Sequence, residues 1–500
     1  MGLPILINAS PTGNRMKKTT SPTPLLHRLL AATLALFFLL SACQPLTPAE
    51  QTVEAQHQTE QASQPTPTRP AAPQPTPTRP SYLDLDLESL KGLTIRFWHP
   101  WTGSLAAEAN RLVDEFNRTN VWGFQVQAVP TGGSTALFNQ MEQTLRAENQ
   151  RPHLVAAPAD QVHLWQRKFN AVVSLDAYLN DAEWGMPVEE QAAYLPLFWQ
   201  QDQVSGRQIA IPALRDAHLL AFNITWAKDL GFSQPPSTPK DFQEQVCAAA
   251  QARKQTSNDG TGGWITSSDP YVLLSWLNAF GWDGLDDLQQ DQAQFNTPRS
   301  QEALAYLRGL FNRGCAWNSR LPDPYEYFAN RQALAYSLTL SQASLQAETL
   351  ERLQSKDQWM LLPYPAQSAG SVPSFFTSGD SYAMLVASPQ EQLAAWLFMR
   401  WMSNPRSQAS LAQAGGLLPV TTTAAEQMTP YARQHPGWQQ AYDLIAAAQP
   451  APNAAAWPYT SLVLSDAAWQ TWQGEMDEEK LNQILAQIDL TLPEIYNLVP

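Results

Sequence analysis

No stretch of this 500-residue chain is apolar for long enough to cross a membrane as a helix. The longest such run, Leu29 to Leu40 (LLAATLALFFLL), is broken only by Thr33 and falls short of the ~20 residues a span requires. Cysteine is nearly absent: Cys43, Cys247 and Cys315 are the only three. They form no zinc-ligand pattern and no setting for a cysteine nucleophile beside a histidine. The seven histidines are scattered, and neither a nucleophile elbow nor a phosphate-binding glycine loop occurs. Basic residues are outnumbered, 31 to 45, for a net charge of −14. An acidic chain is a poor partner for nucleic acid and lacks the polybasic patch that holds proteins on membranes.

What is present begins with the flanks of that apolar run. Arg15, Lys17, Lys18 and Arg28 precede it and Leu40-Ser41-Ala42-Cys43 closes it, the pattern of a secretory signal. The closing tetrad resembles a bacterial lipobox, which implies cleavage before Cys43 and lipidation of that residue. The alternatives are a secreted chain in which Cys43 is incidental, or an uncleaved anchor. Residues 43–81 hold few large apolar side chains and repeat "PTPTRP" at 65–70 and 75–80. Such proline density favours extended polyproline II, so this segment reads as a tether or as a cleavable propeptide. Without the four bases of residues 1–42 the net charge is near −18.

The remainder, residues 82–500, is long enough for two lobes. "LKGLTIRFWHPWTG" (90–103) alternates as a strand around Leu93, Ile95 and Phe97, then breaks at His99-Pro100. "SLAAEANRLVDEFNRTN" (104–120) repeats its apolar residues at helical spacing. A second strand at 123–130, a helix over 134–147 and a buried strand at 153–158 complete a βαβαβ pattern. Such a pattern predicts a mostly parallel sheet with its ligand crevice beyond the strands' carboxyl ends. Thr238-Pro239 is a helix start, with the threonine as cap. Outside the cytoplasm Cys247 and Cys315 are expected to pair, the alternative being two buried thiols.

Four stretches carry a resemblance: "FWHPWTG…L…LVDEFN", "IPALRDAHLLAFNITWAKDLG…PPSTPKDF", "CAW…FANRQALAYS" and "AAWLFMRWMSNPRSQASLAQAGGLLPV". In this order they resemble the extracellular solute-binding proteins of bacterial ABC importers, the cluster containing maltodextrin, oligosaccharide and glycerol-3-phosphate receptors. The resemblance runs from about residue 91 to the C-terminus. It implies an α/β periplasmic-binding-protein fold of two lobes closing on a solute, with lobe one at 83–215 plus 373–416 and lobe two at 216–372 plus 417–500. It also implies a monomer, exported and held by a lipid anchor alone, that presents a small polar solute, most simply a sugar, to a permease, without cofactor, metal or catalysis. A glycerol-3-phosphate receptor is the alternative within the fold, and an extracellular glycoside-acting enzyme a remote one. Where sugar-binding members often continue "ANRQALAYS" with glycine and tryptophan, this chain has "LTLSQ".

Trp98 and Trp101 flank His99-Pro100 in the loop leaving the first strand, and an indole face suits the C–H face of a sugar ring. The competing reading is a loop folded back on its own lobe. Asp160 follows the third strand, where it either faces the solute or caps a helix. Asp216 lies on a crossing segment, free for sugar hydroxyls or paired with Arg215. "TSGDS" places Gly379 and Asp380 beside the solute or in a plain turn. Trp264 and Trp282, each near glycines, are candidates for the opposing wall, as are Trp457 and Tyr459 in "AAAWPYTS". Trp226, Trp396 and Trp401 lie in helical apolar patterns and are assigned to cores.

Overall fold

The computed structural model describes residue 83 and residues 85–147, 150–367 and 373–499. The expected signal, Cys43 and the tether therefore lie outside the described residues. Units alternate at the start as the residue pattern requires: β1 (Thr94–His99), α1 (Gly103–Thr119), β2 (Gln125–Pro130), α2 (Ser134–Ala147), β3 (Leu154–Pro158) and α3 (Ala159–Phe169). Ile95 and Phe97 of β1 are fully buried, and the apolar stripe of α1, Ala109, Leu112, Val113 and Phe116, is buried with them.

The chain continues through β4 (Ile211–Pro212), β5 (Asp216–Asn223), α4 (Pro239–Thr256), β6 (Trp264–Ile265), α5 (Pro270–Ala279), β7 (Ala316–Trp317), β8 (Ala335–Thr339), β9 (Trp359–Leu362), β10 (Phe375–Ser378) and β11 (Asp380–Met384). It ends with α6 (Pro389–Met402), α7 (Pro405–Gly415), β12 (Ala448–Pro450), α8 (Trp457–Thr471) and α9 (Glu478–Asn497). Thr238 caps α4 with Asp241 returning the bond, and Pro239 opens the helix, as its sequence requires.

Two sheets result. The first has the order β2-β1-β3-β11-β4; β2, β1 and β3 are parallel, and β11 runs antiparallel between β3 and β4. The second has the order β12-β10-β5-β8-β6-β7, with β9 pairing β5 end to end with β10. Helices cover both, so this is an α/β fold of two lobes. Cys247 and Cys315 are bonded, 1.97 Å between sulfurs, tying α4 to the residue that enters β7.

The crossings lie at Ala213–Arg215, at Gly379 and around Leu418, which bridges Arg215. The return crossing thus differs from the expected residue 373: Phe375–Ser378 still pairs with β5 in the second sheet. Thr421 bridges Tyr194 of lobe one, so the third crossing also lies beyond the expected residue 416. Gly379 has φ +155°, and a Cβ there would lie 2.3 Å from the Leu214 carbonyl oxygen. Only glycine lets the two crossing strands lie this close.

Candidate functional site

Between the lobes is a cavity of about 660 Å³, within the size range of small-molecule sites. Its floor is the pair of crossings, Leu214–Asp216 and Ser378–Asp380. Lobe one supplies Phe138 and Asn139 from α2 and Asp160 and Gln161 from α3; lobe two supplies Tyr271 from α5 and Trp457 and Tyr459 from α8. The lobes meet across it. Phe138 and Tyr459 rings pack edge to face with centroids 5.9 Å apart, and Arg167 pairs with Asp291 at 2.5 Å. Side chains of the two lobes thus touch directly across the cavity.

Three carboxylates line this cavity. Asp160 sits in the first turn of α3, where its carboxylate accepts from the backbone N–H groups of Asp160 and Gln161. Burial nonetheless raises it to about 7, with Asp380 adding repulsion. Asp380 accepts from the Trp101 indole N–H at 2.7 Å; burial raises it to about 6 while Trp101 and Arg215 oppose the shift. Asp216 is not paired with Arg215 in a local ion pair. It accepts from Ser341, 3.1 Å from the backbone nitrogen and 2.5 Å from the hydroxyl.

Arg215 is the single cationic side chain among the cavity-lining residues, and four of its five N–H donors are taken. It is fully buried and gives Nε to Gln201 at 3.1 Å, Nη1 to the carbonyls of Leu214 and Asp380 at 3.0 and 2.7 Å, and Nη2 to Ser381 at 3.1 Å. Asp202 stands 3.9 Å away and balances its charge. Arg215 therefore fastens one crossing strand to the other and does not present its guanidinium to a solute.

Lobe two forms an aromatic wall. Tyr271 lies 5.7 Å from the Trp457 ring and 4.3 Å from His218, and the Trp457 indole N–H donates to the Tyr271 hydroxyl at 3.3 Å. His218 meets Ser378 at 2.8 Å and Asp269 at 3.5 Å. Burial pushes His218 down, but the Asp269 carboxylate outweighs it and leaves the imidazole above its ordinary value.

Six of the residues singled out in the sequence line the cavity: Asp160, Asp216, Gly379, Asp380, Trp457 and Tyr459. Trp101 reaches it through Asp380. The others do not. β1 runs on through His99, so Trp98 and His99 alternate into opposite faces of the sheet. Trp98 joins the core under α2, while His99 is fully buried against Phe97 and Trp101, its imidazole lowered to about 4 by burial. Trp264 is 0 % exposed between Phe242, Trp276 and Trp472, and Trp282 is 3 % exposed and stacked on Phe295. Neither forms a cleft wall; the neighbouring glycines serve backbone packing, as at Gly263, where a Cβ would strike the Cys315 carbonyl. Tyr271 and Phe138 were missed. Tyr271 had a signal, since Asp269-Pro270 repeats the cap-then-proline opening seen at Thr238-Pro239.

Residues 111–447 match the family model described as bacterial extracellular solute-binding protein. The chain belongs to this family of solute-binding proteins. Its relatives include the sn-glycerol-3-phosphate-binding periplasmic protein UgpB of Pectobacterium atrosepticum, 24 % identical over 69 % of this chain and 77 % of that one. A probable ABC transporter-binding protein of Deinococcus radiodurans is 26 % identical over 31 % of this chain; the match spans 42 % of that relative's length. Among solved structures, the cyclic alpha-maltosyl-1,6-maltose binding protein of Arthrobacter globiformis superposes with a TM-score of 0.66 at 18 % identity, over 80 % of this chain and 99 % of that one. UgpB of Mycobacterium tuberculosis with glycerophosphocholine gives 0.65 at 16 % identity, over 81 % and 98 %. These likenesses show the two-lobed solute-binding fold. No helix among the described residues is long and apolar enough to cross a membrane.

Proposed function

We propose that this solute-binding protein captures a neutral sugar or oligosaccharide by closure of its lobes and hands it to an ABC permease, without catalysing a reaction. The observation that carries the reading is the cavity's chemistry: three carboxylates, a tyrosine–tryptophan wall and a fully buried arginine held by four hydrogen bonds within the crossings. Carboxylates accept from sugar hydroxyls, aromatic faces cover the C–H faces of pyranose rings, and an anionic solute finds no free guanidinium. Solute touching both lobes binds the closed form better and so shifts the population toward it. The lipobox-like sequence around Cys43 supports a lipid anchor on the outer face of the cytoplasmic membrane.

A second reading, a phosphate-ester receptor, is favoured by one feature. Helices α2, α3, α5 and α8 all turn their first residues toward the cavity, and helix N-termini attract anions. The relatives named for glycerol-3-phosphate point the same way. A thermal-shift screen of sugars, polyols and phosphate esters separates the two. Ligand at 100 times its dissociation constant adds about 2.7 kcal/mol of stability. Sugar hits are expected, with compaction in small-angle scattering; stabilisation by phosphate esters alone overturns the first reading.

A further inference from the structure

Asp202 lies just outside the cavity, fully buried and absent from its lining. It follows the short helix Pro196–Gln201. Gln201, one residue earlier, does line the cavity and accepts the Nε donor of Arg215 at 3.1 Å. The groups bordering the Asp202 carboxylate come from three segments. Arg215 on the first crossing stands 3.9 Å away through Nη2, and Ser381 of β11 and Tyr194 lie beside it. Burial keeps the Tyr194 hydroxyl protonated, so among the described residues Arg215 is the charge that Asp202 faces.

Four of the five Arg215 N–H groups go to Gln201, Leu214, Asp380 and Ser381. The fifth is on Nη2, the nitrogen that stands 3.9 Å from Asp202. Left alone, a guanidinium buried in the cavity floor would project a positive field into a space where charges interact strongly. An unpaired buried charge is destabilising, and an anionic solute would relieve it. Asp202 takes that role from within the protein. With it in place, the charges an entering solute meets are those of Asp160, Asp216 and Asp380, which repel anions and accept from hydroxyls.

We infer that Asp202 determines the charge class of the solute: by neutralising Arg215 from outside the cavity it excludes anions from the cleft and leaves neutral solutes unaffected. It is a specificity-determining residue that touches no solute. The inference rests on the cleft being the solute site, as proposed above, and adds the group that sets its selectivity.

The test compares the full chain with its Asp202→Asn variant by calorimetry, using maltose and glucose 6-sulfate, an ester whose charge is the same at pH 5 and pH 8. At pH 8 the variant is expected to bind glucose 6-sulfate about tenfold or more tightly than wild type, a factor within reach of one buried charge. Maltose affinity should stay constant. Adding Arg215→Met to the variant should abolish the gain. At pH 5 the advantage should vanish, because burial raises Asp202 to about 6 against the opposing pull of Arg215, and wild type has then lost the same charge. Asp160 and Asp380 titrate in this range too, but both proteins share them, so the ratio of affinities isolates Asp202. A merely structural role would move both solutes, or both pH values, alike. No gain for the sulfate ester at pH 8, or an equal gain at both pH values, overturns the inference. A wild type that binds the sulfate ester and not maltose at pH 8 overturns it together with the sugar reading. Silence toward maltose beside a pH-dependent gain for the ester supports the inference and sinks that reading alone. If Asp202→Asn does not fold, wild type decides: its affinity for glucose 6-sulfate must rise from pH 8 to pH 5, and a flat profile overturns the inference.

Discussion

Asp160→Asn should stabilise the closed protein, and by an amount that grows with pH. The Asp160 carboxyl titrates at about 7 against an ordinary value of 3.8, and each unit of displacement corresponds to about 1.36 kcal/mol. Because the folded value lies above the unfolded one, the folded chain keeps the proton longer. Wild-type stability therefore falls as pH rises from about 4 to about 7 and levels off beyond. Asparagine keeps an oxygen for the backbone N–H groups of α3 but never ionises. The variant should then gain about 4 kcal/mol over wild type at pH 8 and about 2 kcal/mol at pH 5. Opening the lobes rehydrates Asp160, so the native ensemble escapes part of the cost and these figures are ceilings. Urea titrations of both proteins at the two pH values measure the difference. An equal gain at pH 5 and pH 8, or none at either, refutes the claim that an ionised, poorly solvated carboxylate burdens the closed cleft.

Gly379→Ala should lose about 1 to 3 kcal/mol, the usual cost of a strained backbone site, because the added Cβ meets the Leu214 carbonyl; an unchanged urea midpoint would contradict the close crossing. Replacing Cys247 and Cys315 together by serine should cost about 4 kcal/mol in the chain-entropy model, read as a lowered urea midpoint, while solute affinity, set in another part of the molecule, stays constant. Tyr459→Ala should weaken solute binding about tenfold by calorimetry with little loss of fold, because the ring is only partly buried; full affinity would remove α8 from the site.

The strand–helix alternation of lobe one was legible because its residues face one way or the other without conflict, as Ile95 and Phe97 do in β1. The break was read at His99-Pro100, with Trp98 already in the loop. Pro100 marks the end of the strand, but pairing with β2 runs through His99, and that places Trp98 and His99 inside. Exposure was the property the tryptophans concealed. Trp457 and Trp264 both sit near small residues, yet one borders the cavity and the other is walled in by Phe242, Trp276 and Trp472. Such neighbours arrive from distant parts of the chain, and no local spacing announces them. Ser341 as the partner of Asp216 was invisible for the same reason, since 125 residues separate them.

The position of β11 has a consequence for how this chain is made. It lies inside the first sheet, between β3 and β4, yet it is Asp380–Met384. Everything synthesised before it, nearly four-fifths of the protein, contains a sheet split down the middle, with two facing edges that have no partner in their own lobe. Domains ordinarily fold as they emerge, the N-terminal part first, but here the earlier lobe must wait for a strand delivered late. A nascent or translocating chain should thus remain open to unfolding machinery until the end is close. Chains truncated before residue 380 should be digested rapidly by dilute protease, and those extended past Met384 and its covering helices α6 and α7 should resist it.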